Sequence, residues 1–530
     1  MPKCTINGKE LEVKDGTTII QAMHENGQKI AHYCWHPGLS VAGVCRLCMV
    51  EIEGNPRVQI ACNTVVTEGM KINNTSAKVK DAVKWGLDFH LINHPLDCPI
   101  CDQAGECGLQ DQYMEYGQYD SEMAEHKVKK RKVVDLGDRV VLDSERCILC
   151  SRCVRFTDEV TKTNELGIFN RGDRSEIGTF DDKPLRNKYS VNVVDICPVG
   201  ALTSKDFRFK QRVWYLKEAQ TICTGCSTGC SVKVFFNKEG VFRIKPFNNP
   251  SINGYWMCDE GRDTYKFVNP ENRLLKARVK SEGTAFHELT AGAAAKDIFR
   301  NLSNGALQGA SLVMTGQPTT EEMYSMVTTF VNQFKSKKIY HWKNNPEKWN
   351  EFDGLLIRGD KNPNTKGLEQ AFEKHQVPTS GSPFDELVKE LNAGTVKTLV
   401  VAFPDNHTVY PDVREKLDLF SKAKNLIILS ACKHEWFEGF QGNVWIIPTK
   451  TFVEKNGTYI NYAGTAQKVK RATTIVSEAL TLSEVATLIS GGDVTVEHID
   501  PLIDLNKNAS TVTYETRKKN EFTYRPGGNP

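Results

Sequence analysis

Val79, Val83, Leu87 and Leu91 stand four residues apart, and this single apolar stripe predicts a helix over 77–93. Pro95 ends it, because the residue before a proline is pushed out of the α region. Nearer the N-terminus, Cys4–Asn7 and Glu10–Val13 read as short alternating strands around Asn7-Gly8, a dipeptide suited to a type I′ hairpin turn. Thr17 or Thr18 then caps a helix carrying Ile19, Ile20 and Met23. The basic run HKVKKRK (126–132) reads as a solvated linker between domains, with a docking patch for an acidic neighbour as the alternative. A hairpin is expected over Val133–Asp143. Beyond residue 285 short apolar runs alternate with amphipathic helices. Leu312–Thr315 precedes a helix over Thr320–Phe334, and Leu355–Ile357, Thr398–Phe403, Leu426–Leu429 and Val444–Ile447 are further runs of buried type. That alternation predicts a parallel, doubly wound α/β layer.

Composition narrows the class. A chain of 530 residues suggests several domains, and its 40% hydrophobic content is enough for packed cores. The net charge of +3 carries no polyelectrolyte signal, so nucleic acid is not the implied partner. No apolar run approaches the roughly 18 residues of a spanning helix. MPKCTINGKE lacks the apolar core of a secretory signal and the Arg-rich pattern of a transit peptide, so a soluble cytosolic protein is expected, one able to dock on a membrane-bound partner. There are no internal repeats, no G-x-G-x-x-G fingerprint and no Walker-type phosphate loop.

Cysteine changes the picture. Sixteen of the 17 cysteines lie in the first 258 residues, and only Cys432 follows. Clustered thiols in a long, unsignalled chain read as metal ligands rather than disulfides. The first set is Cys34, Cys45, Cys48 and Cys62, spaced C-x10-C-x2-C-x13-C. Three thiols on one loop with a remote fourth follow the logic of a [2Fe–2S] site in a ferredoxin-like β-grasp domain, a zinc knuckle being the alternative. Ala42 and Gly43 keep the loop small, so backbone amides can approach the sulfurs. The second set is His94, Cys98, Cys101 and Cys107, with His90, one helical turn earlier, as the competitor for the imidazole position. The third set opens as Cys147, Cys150 and Cys153, the C-x2-C-x2-C of a bacterial ferredoxin, with Cys197 of a C-P pair as remote partner. Thr157 stands where a two-cluster ferredoxin would carry another cysteine, so one [4Fe–4S] cluster is expected here. The fourth set is Cys223, Cys226, Cys230 and Cys258, a [4Fe–4S] pattern for which a zinc ribbon is the alternative. Cys4 and Cys432 are left over and read as ordinary buried thiols. No Ser/His/Asp set, H-E-x-x-H or paired carboxylates with chemical context accompany them, so four sites in one half of the chain read as a wire.

In this order the four motifs resemble the large iron–sulfur subunit of respiratory complex I, NADH:quinone oxidoreductase. The resemblance is dense over residues 1 to about 270 and continues weakly to TFVEKNGTYINYAGTAQ (451–467), similar to the E-x-x-G-T-x-x-N segment of molybdopterin oxidoreductases. It implies a multidomain α+β chain followed by α/β. A [2Fe–2S] domain would cover 1–78, a helical [4Fe–4S] segment with one histidine and three cysteine ligands 79–132, and a ferredoxin-like [4Fe–4S] domain 133–215. A [4Fe–4S] domain of the molybdenum/tungsten type over 216–272 and a truncated molybdopterin-oxidoreductase-like α/β domain over 273–530 would complete it. It further implies one [2Fe–2S] and three [4Fe–4S] clusters, no molybdenum, and the FMN- and NADH-binding subunit among the partners. The fourth cluster would be the extra one, off the main path, that only some bacterial members keep. The implied location is the inner face of the bacterial membrane, reached through the complex. Two departures stand out: the chain is short for the family, and Gly464-Thr465-Ala466 replaces an E-G-R sequence of relatives.

The competing class is the catalytic subunit of an NAD-linked formate dehydrogenase, which shares these cluster modules. It needs a Cys or selenocysteine ligand in the α/β domain, where only Cys432 is available, and it usually carries lysine at the position of Glu260. An iron hydrogenase would need further cysteines in the same region, and a zinc-stapled scaffold does not fit the ferredoxin-like third motif.

Overall fold

In the computed structural model the chain forms two compact units, residues 1–215 and 216–530. All residues are described except 119, 121–123, 125, 303–308, 495–510, 514–515 and 518–530.

The first unit opens with the hairpin β1 (Lys3–Ile6) and β2 (Lys9–Glu12). Asn7 and Gly8 both have positive φ, 51° and 80°, as a type I′ turn requires. Helix α1 (Ile19–Glu25) starts at Thr18, whose side chain and Gln21 form a reciprocal capping box. Strands β3 (Met49–Ile52), β4 (Gln59–Ile60) and β5 (Met70–Asn73) complete a mixed five-stranded sheet, ordered β2-β1-β5-β3-β4, with β1 parallel to β5. Ile19, Ile20 and Met23 of α1 bury against Ile6, Val50 and Ile72 in a core that also holds Cys48 and Cys62. Each such aliphatic side chain contributes about 1.5–3 kcal/mol when fully buried. Two thiols of the first cysteine set, Cys48 and Cys62, are thus anchored in this core.

Helix α2 (Ala77–Leu91) is capped by Ser76, which accepts from the Val79 amide, and its buried stripe is Val79, Val83 and Leu87. Helix α3 (Gly108–Tyr116) begins directly after Cys107. The hairpin β6 (Val134–Asp135) and β7 (Val140–Leu142) forms as expected. The short helix α4 (Arg152–Arg155), the hairpin β8 (Leu166–Phe169) and β9 (Glu176–Thr179), helix α5 (Asn192–Asp195) and β10 (Leu202–Ser204) follow.

The basic run before β6 is largely exposed, as expected of a solvated segment, but it is tied down along its length. Lys132 bridges Asp97 at 2.6 Å and Glu145 at 2.8 Å, Arg131 pairs with Glu176, and Lys127 and Lys130 donate to the Leu91 and Ser175 carbonyls. These four charges face carboxylates and carbonyls within the same unit. A sequence window cannot show partners that lie far along the chain.

The second unit begins with the antiparallel strands β11 (Lys217–Ile222), β12 (Ser231–Asn237) and β13 (Gly240–Pro246), then the one-turn helix α6 (Asp259–Arg262). The α/β layer comprises β14 (Ala277–Lys280), β15 (His287–Leu289), α7 (Ala291–Leu302), β16 (Ser311–Met314), α8 (Thr320–Asn332), β17 (Ile339–His341), α9 (Thr365–Lys374) and α10 (Phe384–Asn392). It continues with β18 (Thr398–Ala402), α11 (Val413–Phe420), β19 (Asn425–Ser430) and β20 (Asn443–Pro448). Its sheet order is β15-β14-β20-β19-β18-β16-β17, parallel from β20 to β17 and antiparallel at the β14–β15 edge. Alternate strand residues divide between two cores. Leu312, Val400 and Ile427 pack with Met323, Val327 and Phe330 of α8, whereas Val313, Val401 and Ile428 pack with Leu391 of α10 and Phe420 of α11. That two-sided burial explains why these strands read as continuous apolar runs.

Leu355–Ile357 departs from expectation: it is not a strand. The Asp353 carboxylate accepts from the amides of Leu355, Leu356 and Ile357, which winds the segment into a compact loop. The hairpin β21 (Gly457–Ile460) and β22 (Ala466–Val469) and helix α12 (Leu482–Ile489) follow the sheet. Among the described residues, no helix is long and apolar enough to cross a membrane.

Candidate iron–sulfur sites

In the first set the four thiols are 1–5% exposed. They meet in two touching pairs, Cys34 with Cys45 and Cys48 with Cys62. Contact with Cys45 holds the Cys34 thiol down, to about 5, while that same contact, and then burial, push Cys45 up. The Tyr33 amide donates to Cys45 Sγ at 3.4 Å. Gly43 at φ 66° and Arg46 at φ 55° turn the loop through left-handed backbone on either side of Cys45. That conformation costs a non-glycine residue on the order of 1–3 kcal/mol, and here it lies within the C-x2-C segment itself.

The second set sits at the end of α2. His94 is pushed down to about 4 by burial, with Lys127 and Arg146 adding to the effect, so its imidazole is neutral and free to ligate. Its Nδ1 is buried without a hydrogen-bond partner. His90 is engaged differently: its Nδ1 lies 2.6 Å from the Gly86 carbonyl, and its ring stands edge-on to Tyr33. Cys98 is exposed, whereas Cys101 and Cys107 are half-buried, and burial raises Cys107 to about 11. Gly200 presses on this group from the third motif, since a Cβ there would collide with Cys101 Sγ.

In the third set Cys153 is buried and the other three thiols are half-buried. Cys147, Cys150, Cys153 and Cys197 line one cavity whose other walls include Leu142, Ile177, Val199 and Leu202. Burial pushes Cys147 up to about 11 and Cys197 to about 12, and neighbouring thiols add to both. Four such thiols cannot all ionise in an apolar cavity unless a positive centre neutralises them. Leu149 and Ser151, at φ 54° and 61°, alternate left-handed backbone between the cysteines, and the Leu149 amide donates to Cys147 Sγ at 3.4 Å. Thr157, at the position of the missing cysteine, is fully buried, and its hydroxyl donates to the Val154 carbonyl.

Charged side chains tie these three sets together. Arg152 donates to the carbonyls of Trp35 and Ile196, neighbours of Cys34 and Cys197. Arg155 donates to the carbonyls of Cys34 and Ser40. On the other side, Arg146 pairs with Asp97 at 2.8 Å, and the Gly108 amide donates to the Pro198 carbonyl. The third set is therefore linked to both the first and the second.

The fourth set lies in the second unit. Cys223, Cys226, Cys230 and Cys258 are 4–8% exposed and line a single cavity. Burial raises Cys223 to about 12. Amides of Gly225 and Gly261 donate to Cys223 Sγ and Cys258 Sγ at 3.4 and 3.3 Å. Glycine is needed at 261, where a Cβ would lie 2.8 Å from Cys223 Sγ. The loop at Leu356 covers the cavity and accepts from Thr228 Oγ1 at 2.5 Å. Sequence reasoning missed this loop and Lys361, which also lines the cavity, because both belong to the α/β layer over a hundred residues on.

The leftover thiols line neither of the two cysteine cavities. Cys4 belongs to the core under β1, and Cys432 is 1% exposed, with its sulfur facing the Phe267 and Asp405 carbonyls. Among the described residues no three His, Cys, Asp or Glu side chains converge closely enough to grip a single ion. The thiols stand instead around cavities or in pairs. Orphaned His94 Nδ1, the cavity-lining thiols and the glycines pressed on Cys101 and Cys223 suit multi-atom clusters held at their rims.

Family models match in the same order along the chain. They are a 2Fe-2S iron-sulfur cluster binding domain over residues 3–77, an NADH-ubiquinone oxidoreductase-G iron-sulfur binding region over 86–122, and the ferredoxin-like domain of NADH-quinone oxidoreductase subunit 3 over 137–203. The molybdopterin oxidoreductase Fe4S4 domain matches 216–270. The G subunit of NADH-quinone oxidoreductase from Streptomyces coelicolor is 38% identical over 52% of this chain and 33% of its own. Its counterpart from Rickettsia bellii is 40% identical over 53% of this chain and 41% of its own. The mitochondrial NADH dehydrogenase [ubiquinone] iron-sulfur protein 1 of Solanum tuberosum is 42% identical over 49% and 35%. The matched stretch thus spans well under half the length of these relatives. Over about half of its length, this chain is similar to NADH-quinone oxidoreductase G subunits, and the iron–sulfur family models fall within residues 3–270.

Proposed function

We propose that the chain is the iron–sulfur relay subunit of an NADH:quinone oxidoreductase, receiving electrons from an FMN-bearing, NADH-oxidising subunit and passing them toward quinone. In this reading Cys34, Cys45, Cys48 and Cys62 hold a [2Fe–2S] cluster. His94 with Cys98, Cys101 and Cys107 holds a [4Fe–4S] cluster, as do Cys147, Cys150, Cys153 and Cys197, and Cys223, Cys226, Cys230 and Cys258. Bound clusters of these types exchange single electrons without making or breaking substrate bonds. The protein's part is to fix their spacing, shield them from water and set their charge.

One observation carries the reading: the third set is bonded to both of its neighbours. Arg152 and Arg155 tie it to the first set, and the Asp97–Arg146 pair ties it to the second. This supports a route from the first set through the third to the second. Peripheral attachment on the inner membrane face, through the other subunits, follows from the same reading.

The formate dehydrogenase alternative has less to stand on. Cys432, the one thiol after Cys258, is buried beside Arg273, which pairs with Glu454 at 2.6 Å. The E-x-x-G-T-x-x-N segment serves packing: Glu454 holds Arg273, Gly457 abuts Thr319, and Asn461 donates to the Thr228 carbonyl. Metal analysis of the anaerobically purified chain tests the proposal. One [2Fe–2S] and three [4Fe–4S] clusters give about 14 iron atoms per chain, with molybdenum, tungsten and zinc near zero. Stoichiometric molybdenum or tungsten would replace the relay with the dehydrogenase.

A further inference from the structure

We infer that Lys361, held by Glu260, is a positioning residue that sets the reduction potential of the fourth cluster. This rests on the reading of Cys223, Cys226, Cys230 and Cys258 as a [4Fe–4S] site. Lys361 and Glu260 are the two charged residues that line this cavity; Met257, Leu356 and glycines make up the rest of the wall beside the cysteines. Lys361 Nζ lies 2.7 Å from Glu260 Oε2. The lysine side chain is 18% exposed and the glutamate 57%, so the cation is the more deeply set partner.

The ammonium is not a loosely placed surface charge. The residue before it, Asp360, accepts at its carbonyl from the Ser227 amide at 2.9 Å, and Ser227 follows the ligand-set residue Cys226. Four residues further back the Leu356 carbonyl accepts from Thr228. The backbone that carries Lys361 is therefore stitched to the loop that carries the thiols. From the opposite wall, Glu260 sits two residues after Cys258 on α6 and fixes the other end.

Reduction adds one electron to the cluster and forms no bond, so the environment acts through charge alone. A nearby cation stabilises the reduced form, a nearby anion the oxidised form, and an apolar wall strengthens both effects. The pair as built is neutral. Removing either partner leaves one uncompensated unit charge, and the two removals act in opposite directions. A purely structural role has no such signature.

The test uses the full chain, purified anaerobically and titrated with dithionite while each cluster is followed by electron paramagnetic resonance. Lys361→Gln should lower the fourth cluster's midpoint by about 59 mV, a tenfold change in its one-electron equilibrium. Glu260→Gln should raise it, Lys361→Arg should leave it near the wild-type value, and the other three clusters should not move. Shifts of the same sign in Lys361→Gln and Glu260→Gln, or no shift in either with all four clusters present, overturn the inference. Should Lys361→Gln lose the cluster, Glu260→Gln decides alone, an unmoved or lowered midpoint counting against it. A wild-type chain with iron near 10 and no fourth signal would overturn the cluster reading itself, and the inference with it.

Discussion

Asp97 and Arg146 form a 2.8 Å ion pair, and each stands one residue ahead of a cysteine, Cys98 in the second set and Cys147 in the third. Lys132 shares the same carboxylate oxygen. Asp97→Ala therefore removes the carboxylate that these two cations share beside His94, leaving Arg146 with Asp143 and Lys132 with Glu145. The expected outcome is a loss of about 1 kcal/mol of stability, because Asp97 is partly exposed and each cation keeps another carboxylate, and a higher midpoint for the second cluster. Thermal unfolding and potentiometric titration read the two effects separately. An unchanged midpoint would show that the pair only fastens the loops.

His94→Ala should remove or convert one [4Fe–4S] signal and leave the other three. His90→Ala should not, because His90 is already engaged with the Gly86 carbonyl and the Tyr33 ring. The reverse pattern in the spectra would transfer the ligand role to His90.

Gly200→Ala would drive a methyl group into Cys101 Sγ. Since the following residues build β10, the backbone there has little room to retreat. Iron content should fall by about four atoms, with the fourth cluster's signal untouched. Full iron occupancy in this variant would mean that Cys101 is not a ligand in that position.

Cys150→Ala should abolish NADH-to-quinone transfer in the assembled complex, whereas Cys226→Ala should reduce the amount assembled more than the turnover of what assembles. Equal loss of turnover in both, at equal assembly, would put the fourth cluster on the main route.

Glu454→Gln should be among the most destabilising single changes in the α/β layer. It leaves the fully buried Arg273 guanidinium without its anion, a cost of about 3–5 kcal/mol. Chemical denaturation of the full chain measures it, and a change under about 1 kcal/mol would show that the Arg273 bonds to the Ala431 and Thr449 carbonyls are enough.

What the sequence disclosed was whatever is written locally. The Asn7-Gly8 turn, the Thr18 cap and the four-residue stripe of α2 each sit within a few residues of their cause. The cysteine sets are legible because ligand spacing is itself a local signal. The remainder depends on partners distant in sequence. HKVKKRK reads as an unattached segment because its partners Asp97, Glu145 and Glu176 lie outside any window around it. Leu355–Ile357 reads as a strand because its apolar side chains outweigh the single carboxylate, Asp353, that winds it up. Lys361 carries no signal at all, since nothing near it in the chain says that Cys226 and Glu260 are its neighbours.

The loop over the fourth site has a consequence for the order of biogenesis. Its four thiols lie beneath backbone from the α/β layer, with Leu356, Asp360 and Asn461 bonded across the ligand loop. On the proposed reading, iron and sulfide would enter before that cover folds down, and the cluster would be sealed afterwards. On the same reading the second site, with Cys98 at the surface, would stay open to late insertion and to repair. Under oxidative damage the two sites would have different fates: one can be rebuilt in place, while the other is lost together with the chain that holds it.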